Sequence, residues 1–222
     1  MGINRGPWGW GRTGTTADMT EYRLKGQQIT KGRRAKGQSN PSPEYLLTQA
    51  ISALMWPVFR QVSGEIRKGW TAKLEKQPAA SAWYKYNYAA GLPSGVLSTA
   101  ALSFAKGVIT PTAITAIADA SDQEITFTWS PDPADDSQLD TDVLAYVVTN
   151  IDRTPIDNGY PAFIGNSPNI ARSVGGAVQV FPPGTFATGD NLYLWTFFIG
   201  ASATLNSGKS ETSVRQSIIT VA

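Results

Sequence analysis

Three groups of side chains carry the residue types that chemistry needs. Asp132, Asp135, Asp136, Asp140 and Asp142 crowd one short stretch. Clustered carboxylates are the donors of calcium sites, and paired ones are the acid and base of glycosidases. Their spacing is not that of an EF-hand and lacks its glycine, so a solvated acidic loop is expected, with no metal assigned. A second group is cationic and aromatic: Trp8, Trp10, Arg12, Arg23, Lys25, Arg33, Arg34 and Lys36. Cations neutralise phosphates and rings stack on bases, so these residues suit single-stranded nucleic acid. They equally suit an acidic surface of another protein subunit, and no recognised nucleic-acid motif accompanies them. The third group, Trp83, Tyr84, Tyr86 and Tyr88, could form a sugar platform. Spread around a helix, these rings are expected instead to glue elements together or to a partner.

Other chemistry is excluded by what is missing. The chain has neither cysteine nor histidine. Disulfides, thiolate or imidazole metal sites and His-activated nucleophiles therefore fall away. Gly9-Trp10-Gly11-Arg12-Thr13-Gly14 matches the dinucleotide fingerprint, but only eight residues precede it and no apolar helix follows. Gly32-Arg33-Arg34-Ala35-Lys36-Gly37 lacks the Gly-Lys-Ser/Thr ending of a phosphate loop. The reading is a non-enzyme without a cofactor.

The elements that must position these groups differ along the chain. Residues 1–90 contain 14 Lys and Arg against 5 Asp and Glu; residues 91–222 contain 5 against 12. Residues 1–40 are glycine-rich and cationic, which predicts an arm that orders only where something holds it, with short strands at 21–25 and 27–31. From 41 to 70 the apolar residues recur at helical spacing behind Ser42 as cap, Pro43 and Glu44. Pro57 inside that stripe predicts a kink or break near residues 54–56. A second helix is expected at 79–90, between Pro78 and Gly91.

Beyond residue 110 the period changes to two. Strands are expected at 114–118, 124–129, 143–151, 177–181, 191–199 and 213–221, separated by Ser130-Pro131-Asp132-Pro133, Asp157-Asn158-Gly159, Pro182-Pro183-Gly184 and Asn206-Ser207-Gly208. Ile125, Phe127 and Trp129 share one strand face, and Trp129 and Trp195 are the candidate core centres. The fold class is therefore α+β, mostly β. It comprises a basic N-terminal arm (1–40), a helical segment (41–109) and an immunoglobulin- or fibronectin-like antiparallel β-sandwich (110–222).

No run reaches the roughly 18 apolar residues of a membrane span, and the opening has no apolar core behind a basic start. A chain made in the cytoplasm without a signal peptide is expected.

The order of features also carries a resemblance. It runs from Met1-Gly2-Ile3 through Leu24-Lys25-Gly26-Gln27-Gln28-Ile29 to Asn40-Pro41-Ser42-Pro43-Glu44. The stripe from Phe59 to Gly69-Trp70 follows, and then Ser81-Ala82-Trp83-Tyr84-Lys85-Tyr86-Asn87-Tyr88. This resembles a bacterial and phage domain-of-unknown-function family of similar length, with a Gly-rich basic start, a helical middle and a β-rich end. The resemblance implies a non-enzymatic component of a virion or other multi-subunit particle and transfers no site residues. The expected partners are protein subunits, either copies of itself or other virion proteins. Two alternatives stay open: nucleic-acid association through residues 1–40, and a carbohydrate- or cell-surface-binding sandwich.

Overall fold

Residues 143–148 and 192–199 are apolar at nearly every position, a pattern that suits strands covered on both faces better than strands with one wet face. A computed structural model of the chain describes residues 14–16, 19–24, 27–32, 42–73, 77–91, 98–151, 162–201, 208–216 and 219–222. Met1–Tyr45 form one unit and Leu46–Ala222 the other.

In the first unit, β1 (Gly14–Thr16), β2 (Met19–Leu24) and β3 (Gln27–Gly32) make an antiparallel sheet in that order. Leu24 pairs with Gln27 and Tyr22 with Ile29, so β2 and β3 account for the two short strands expected there.

Helix α1 (Pro43–Gln61) starts as its sequence requires, with the Tyr45 N–H donating to Ser42 Oγ at 3.2 Å. It then runs continuously through Pro57, so the break expected as one outcome near 54–56 does not occur there. Met55, Val58 and Phe59 are buried on both sides of the proline, so tertiary packing outweighs the loss of one backbone donor. The break comes later, at Val62, before α2 (Ser63–Gly69). Helix α3 (Ala79–Gly91) lies where Pro78 and Gly91 predict it.

The second unit also holds two antiparallel sheets. One has the order β4 (Ile114–Asp119), β5 (Glu124–Trp129), β8 (Gly176–Val180). The other contains β6 (Val143–Asn150), β7 (Phe163–Asn166), β9 (Asn191–Ile199), β10 (Val214–Arg215) and β11 (Ile219–Thr220), with β6 and β9 paired at its centre. The architecture is α+β with strand predominating. The single strand expected at 213–221 is two short ones, both on β9. β7 is additional; four residues ending in Gly165 and Asn166 carry no period.

Register decides the layering. Val147 pairs with Trp195 and Val148 with Leu194, so odd and even positions of β6 and β9 face opposite ways. Leu144, Tyr146, Val148, Leu192, Leu194 and Phe198 join Ile125, Phe127 and Trp129 in a core between the sheets. Ala145, Val147, Trp195 and Phe197 instead join Ile51, Met55, Val58, Phe59, Ile66 and Trp83 in a core beneath the helices. Trp129 and Trp195 are both buried, as expected, but in different cores. The helical segment therefore shares a hydrophobic core with the strands, and the chain divides into its two units between Tyr45 and Leu46.

Tyr146 lies between the sheets against Phe127 and Phe181. Burial pushes its phenol above the ordinary value; a hydrogen bond with Asn166 opposes the rise and the Glu65 carboxylate adds to it. A raised folded-state value means that the unfolded chain releases this proton first. Stability is thus retained below the ordinary phenol range and lost as pH climbs through it. An alkaline absorbance titration should show one late tyrosine that Tyr146→Phe removes; an unchanged curve in that variant would contradict the placement.

Candidate functional site

Arg67 and Lys68 close the last turn of α2, where cations complement the negative end of the helix dipole. The next residue but one, Trp70, is buried and forms a parallel bridge with Lys106. Thr71 and Ala72 donate their N–H groups to Lys106 O at 3.0 and 2.8 Å, and Lys106 N–H donates to Gly69 O at 3.0 Å. Only glycine fits at two points of this seam. A Cβ on Gly69 would lie 2.7 Å from both Ala105 Cβ and the Phe197 ring, and one on Gly107 would lie 1.7 Å from Ser210 O. Ser210 completes the seam by donating to Gly69 O at 2.5 Å and pairing with Thr71 Oγ1 at 2.9 Å.

Two clefts border Trp70. The larger, about 750 Å³, is lined by Arg67, Lys68, Thr71, Lys73, Ser167 and Asn169 among others. The smaller, about 500 Å³, is lined by Gln77, Lys85, Tyr86 and Lys106. Lys106 Nζ sits 4.3 Å from the Tyr86 ring centroid, and Lys73 Nζ donates to Gln77 O at 3.1 Å. No carboxylate lines either cleft among the described residues, and none of these cations makes an ion pair there. Ser167 Oγ is buried without a hydrogen-bond partner. The arrangement offers positive charge and donors to an anionic group.

A second cluster is closed to solvent. Arg172 and Glu211 have side chains 0% and 1% exposed, with Nη2 and Oε1 2.8 Å apart. Arg172 Nη1 donates to Thr112 Oγ1, Nε to Leu139 O at 3.3 Å, and Asp142 Oδ2 lies 3.7 Å from Nη2. Thr112 Oγ1 donates to Glu211 Oε1 at 2.6 Å, and the Phe198 N–H donates to Oε2 at 3.1 Å. The guanidinium also covers the Phe198 ring at 4.1 Å. Every charge here is buried with partners, so the cluster joins segments of chain.

The acidic loop is thereby divided. Asp142 is buried beside Arg172, whereas Asp132, Asp135, Asp136 and Asp140 are exposed. Asp135 accepts from Thr110 Oγ1 at 2.5 Å, Ser137 Oγ at 2.6 Å and the Ser137 N–H at 2.8 Å. The Ser137 side chain foremost, then Thr110 and the Ser137 backbone, hold this carboxyl below its ordinary value. Among the described residues no three acidic groups converge to hold a metal ion.

The aromatic group of α3 does not form one platform. Trp83 is fully buried and donates Nε1–H to Ser103 O at 2.9 Å. Tyr84 stacks on Trp56 at 5.6 Å, with its hydroxyl 2.7 Å from Ser52 Oγ, and Tyr86 meets Trp70 edge-on at 5.5 Å. These rings fasten α3 to its neighbours.

Of the residues singled out in the basic arm, Arg23 lies in β2 opposite Gln28. Trp8, Trp10, Arg12, Lys25, Arg33, Arg34 and Lys36 lie outside the described residues, as does the glycine motif except Gly14 at the start of β1. Sequence reasoning missed the clefts because their linings run from residue 67 to 208. The one local signal was the run of cations Arg60, Arg67, Lys68, Lys73, Lys76 and Lys85. No helix among the described residues is long and apolar enough to cross a membrane. Compared with family models, with curated proteins and with solved structures, the chain finds no match in any of the three.

Proposed function

We propose that the chain is a non-enzymatic structural subunit of a multi-subunit assembly, its setting a phage virion or phage-like particle. In this reading the facing sheets are an immunoglobulin- or fibronectin-like sandwich carried beneath a helical layer. One observation carries the proposal: near the start of α1, Leu46 and Leu47 are 50% and 40% exposed. Exposed neighbouring apolar side chains mark a surface built to be covered, and the cover proposed is another copy of the chain. Closure of the buried Arg172 cluster against solvent agrees with a structural role. Light scattering after size exclusion tests the reading. Oligomers that Leu46→Glu with Leu47→Lys dissolves are the expected result. A monomer at every concentration, in low and high salt, overturns it.

A second reading, nucleic-acid association, is favoured by the charge of the first unit. Residues 1–45 hold 8 Lys and Arg against 3 Asp and Glu, a net of +5. Binding to single-stranded DNA that weakens steeply with salt and disappears on deletion of residues 1–40 would establish it in place of the first.

A further inference from the structure

We infer that the cationic cleft beside Trp70 receives the exposed acidic loop, residues 132–140, of a second copy of this chain. The inference rests on the assembly reading and names one contact within it.

The two surfaces are complementary in charge. Arg67, Lys68 and Lys73 line the larger cleft with no carboxylate among the described lining residues, and Ser167 Oγ there has no partner. On the loop, Asp132, Asp135, Asp136 and Asp140 are exposed, and none makes an ion pair among the described residues. None of the four lines the cleft of its own subunit. Within one copy, then, the acidic loop and the cationic cleft leave each other unpaired.

The occupant follows from charge. Residues 46–222 carry 11 Lys and Arg against 14 Asp and Glu, a net of −3. Apart from the cationic residues 1–45, a unit of that sign offers a long polyanion such as nucleic acid little beyond this one concavity. A short carboxylate-bearing segment fits the concavity without bringing a line of phosphates against the rest of the surface. The loop is also shaped in advance. Pro131 and Pro133 limit its backbone, and Asp135 draws in the Ser137 N–H and hydroxyl together with Thr110. Such preorganisation lowers the entropy lost on docking. Because cleft and loop are different surfaces, the contact is heterologous and propagates into rings or filaments instead of stopping at a symmetric dimer.

The test uses the full chain in four forms: wild type, the cleft variant Arg67→Glu/Lys68→Glu, the loop variant Asp132→Lys/Asp136→Lys, and the four changes combined. All altered positions are exposed, so thermal melts should stay close to the wild type, the two carboxylates at the end of α2 lowering them by a few degrees at most. Sedimentation velocity is expected to show wild-type oligomers that weaken with salt, and each variant alone should lose about tenfold or more in self-association. An equimolar mixture of the cleft and loop variants should assemble again, since each intact loop meets an intact cleft and each exchanged loop meets an exchanged cleft. The combined variant should assemble again with its charges exchanged. Oligomers indifferent to both variants would overturn this contact while leaving the assembly reading standing; a monomeric wild type would overturn the assembly reading first. Dissociation by the loop variant but not the cleft variant would place the loop's partner elsewhere. Binding of a thymidine oligonucleotide that only the cleft variant loses would assign the cleft to nucleic acid and end the proposal.

Discussion

Arg172→Met is expected to lower the unfolding free energy of the Leu46–Ala222 unit by about 3–5 kcal/mol, because it takes the guanidinium away from the buried Glu211 carboxylate 2.8 Å from it. At about 2–4 °C per kcal/mol for a unit of this size, the melting midpoint should fall by roughly 10 °C. The side chain joins four separate stretches: Thr112, Leu139 with Asp142, the Phe198 ring and Glu211. Arg172→Lys should recover little, since an ammonium cannot reproduce a planar fork of donors. Adding Glu211→Gln to Arg172→Met removes one uncompensated charge and should restore part of the loss. Chemical denaturation of the three proteins decides the matter. A single variant within 1 kcal/mol of wild type, a margin typical of a surface ion pair, would show that the guanidinium is not buried in solution.

Trp195→Ala is the other large effect, at about 3–5 kcal/mol. The indole packs on Phe104 at 4.8 Å, touches Phe163 and Tyr193, and donates Nε1–H to Leu102 O at 2.8 Å. Truncation opens a cavity between the helical layer and the central sheet and strands a buried carbonyl. Its diagnostic value lies in cooperativity. Helices and strands that share this core should unfold in one transition, shifted downward as a whole when followed both by far-ultraviolet circular dichroism and by tryptophan fluorescence. Loss of helical signal at low denaturant with the sheets intact would mean that the helical layer is a separate body after all.

The local elements were legible because their signals are local. β5 coincides with the expected 124–129 and β9 with 191–199, since β-branched and aromatic runs bounded by turn residues report a strand without outside help. Ser42 and Pro43 marked the start of α1 for the same reason, as the cap is made within four residues. Pro57 misled because its cost is local while its compensation, the burial of Met55, Val58 and Phe59, comes from the sheet beneath. Arg172 was equally opaque. An arginine is ordinarily a surface residue, and the partner that makes burial tolerable is 39 positions away.

The sequence by itself determined which stretches are strand or helix, which faces are apolar, and that chemistry requiring histidine or cysteine is closed to this chain. Only the tertiary structure decided that Trp129 and Trp195 serve opposite layers, that helices and sheets share one unit, and that cations scattered along the chain border the same clefts. The physical reason is the range of the forces involved. Backbone propensity and turn chemistry act over a few residues, whereas burial and charge pairing depend on which distant segments the folded chain brings into contact.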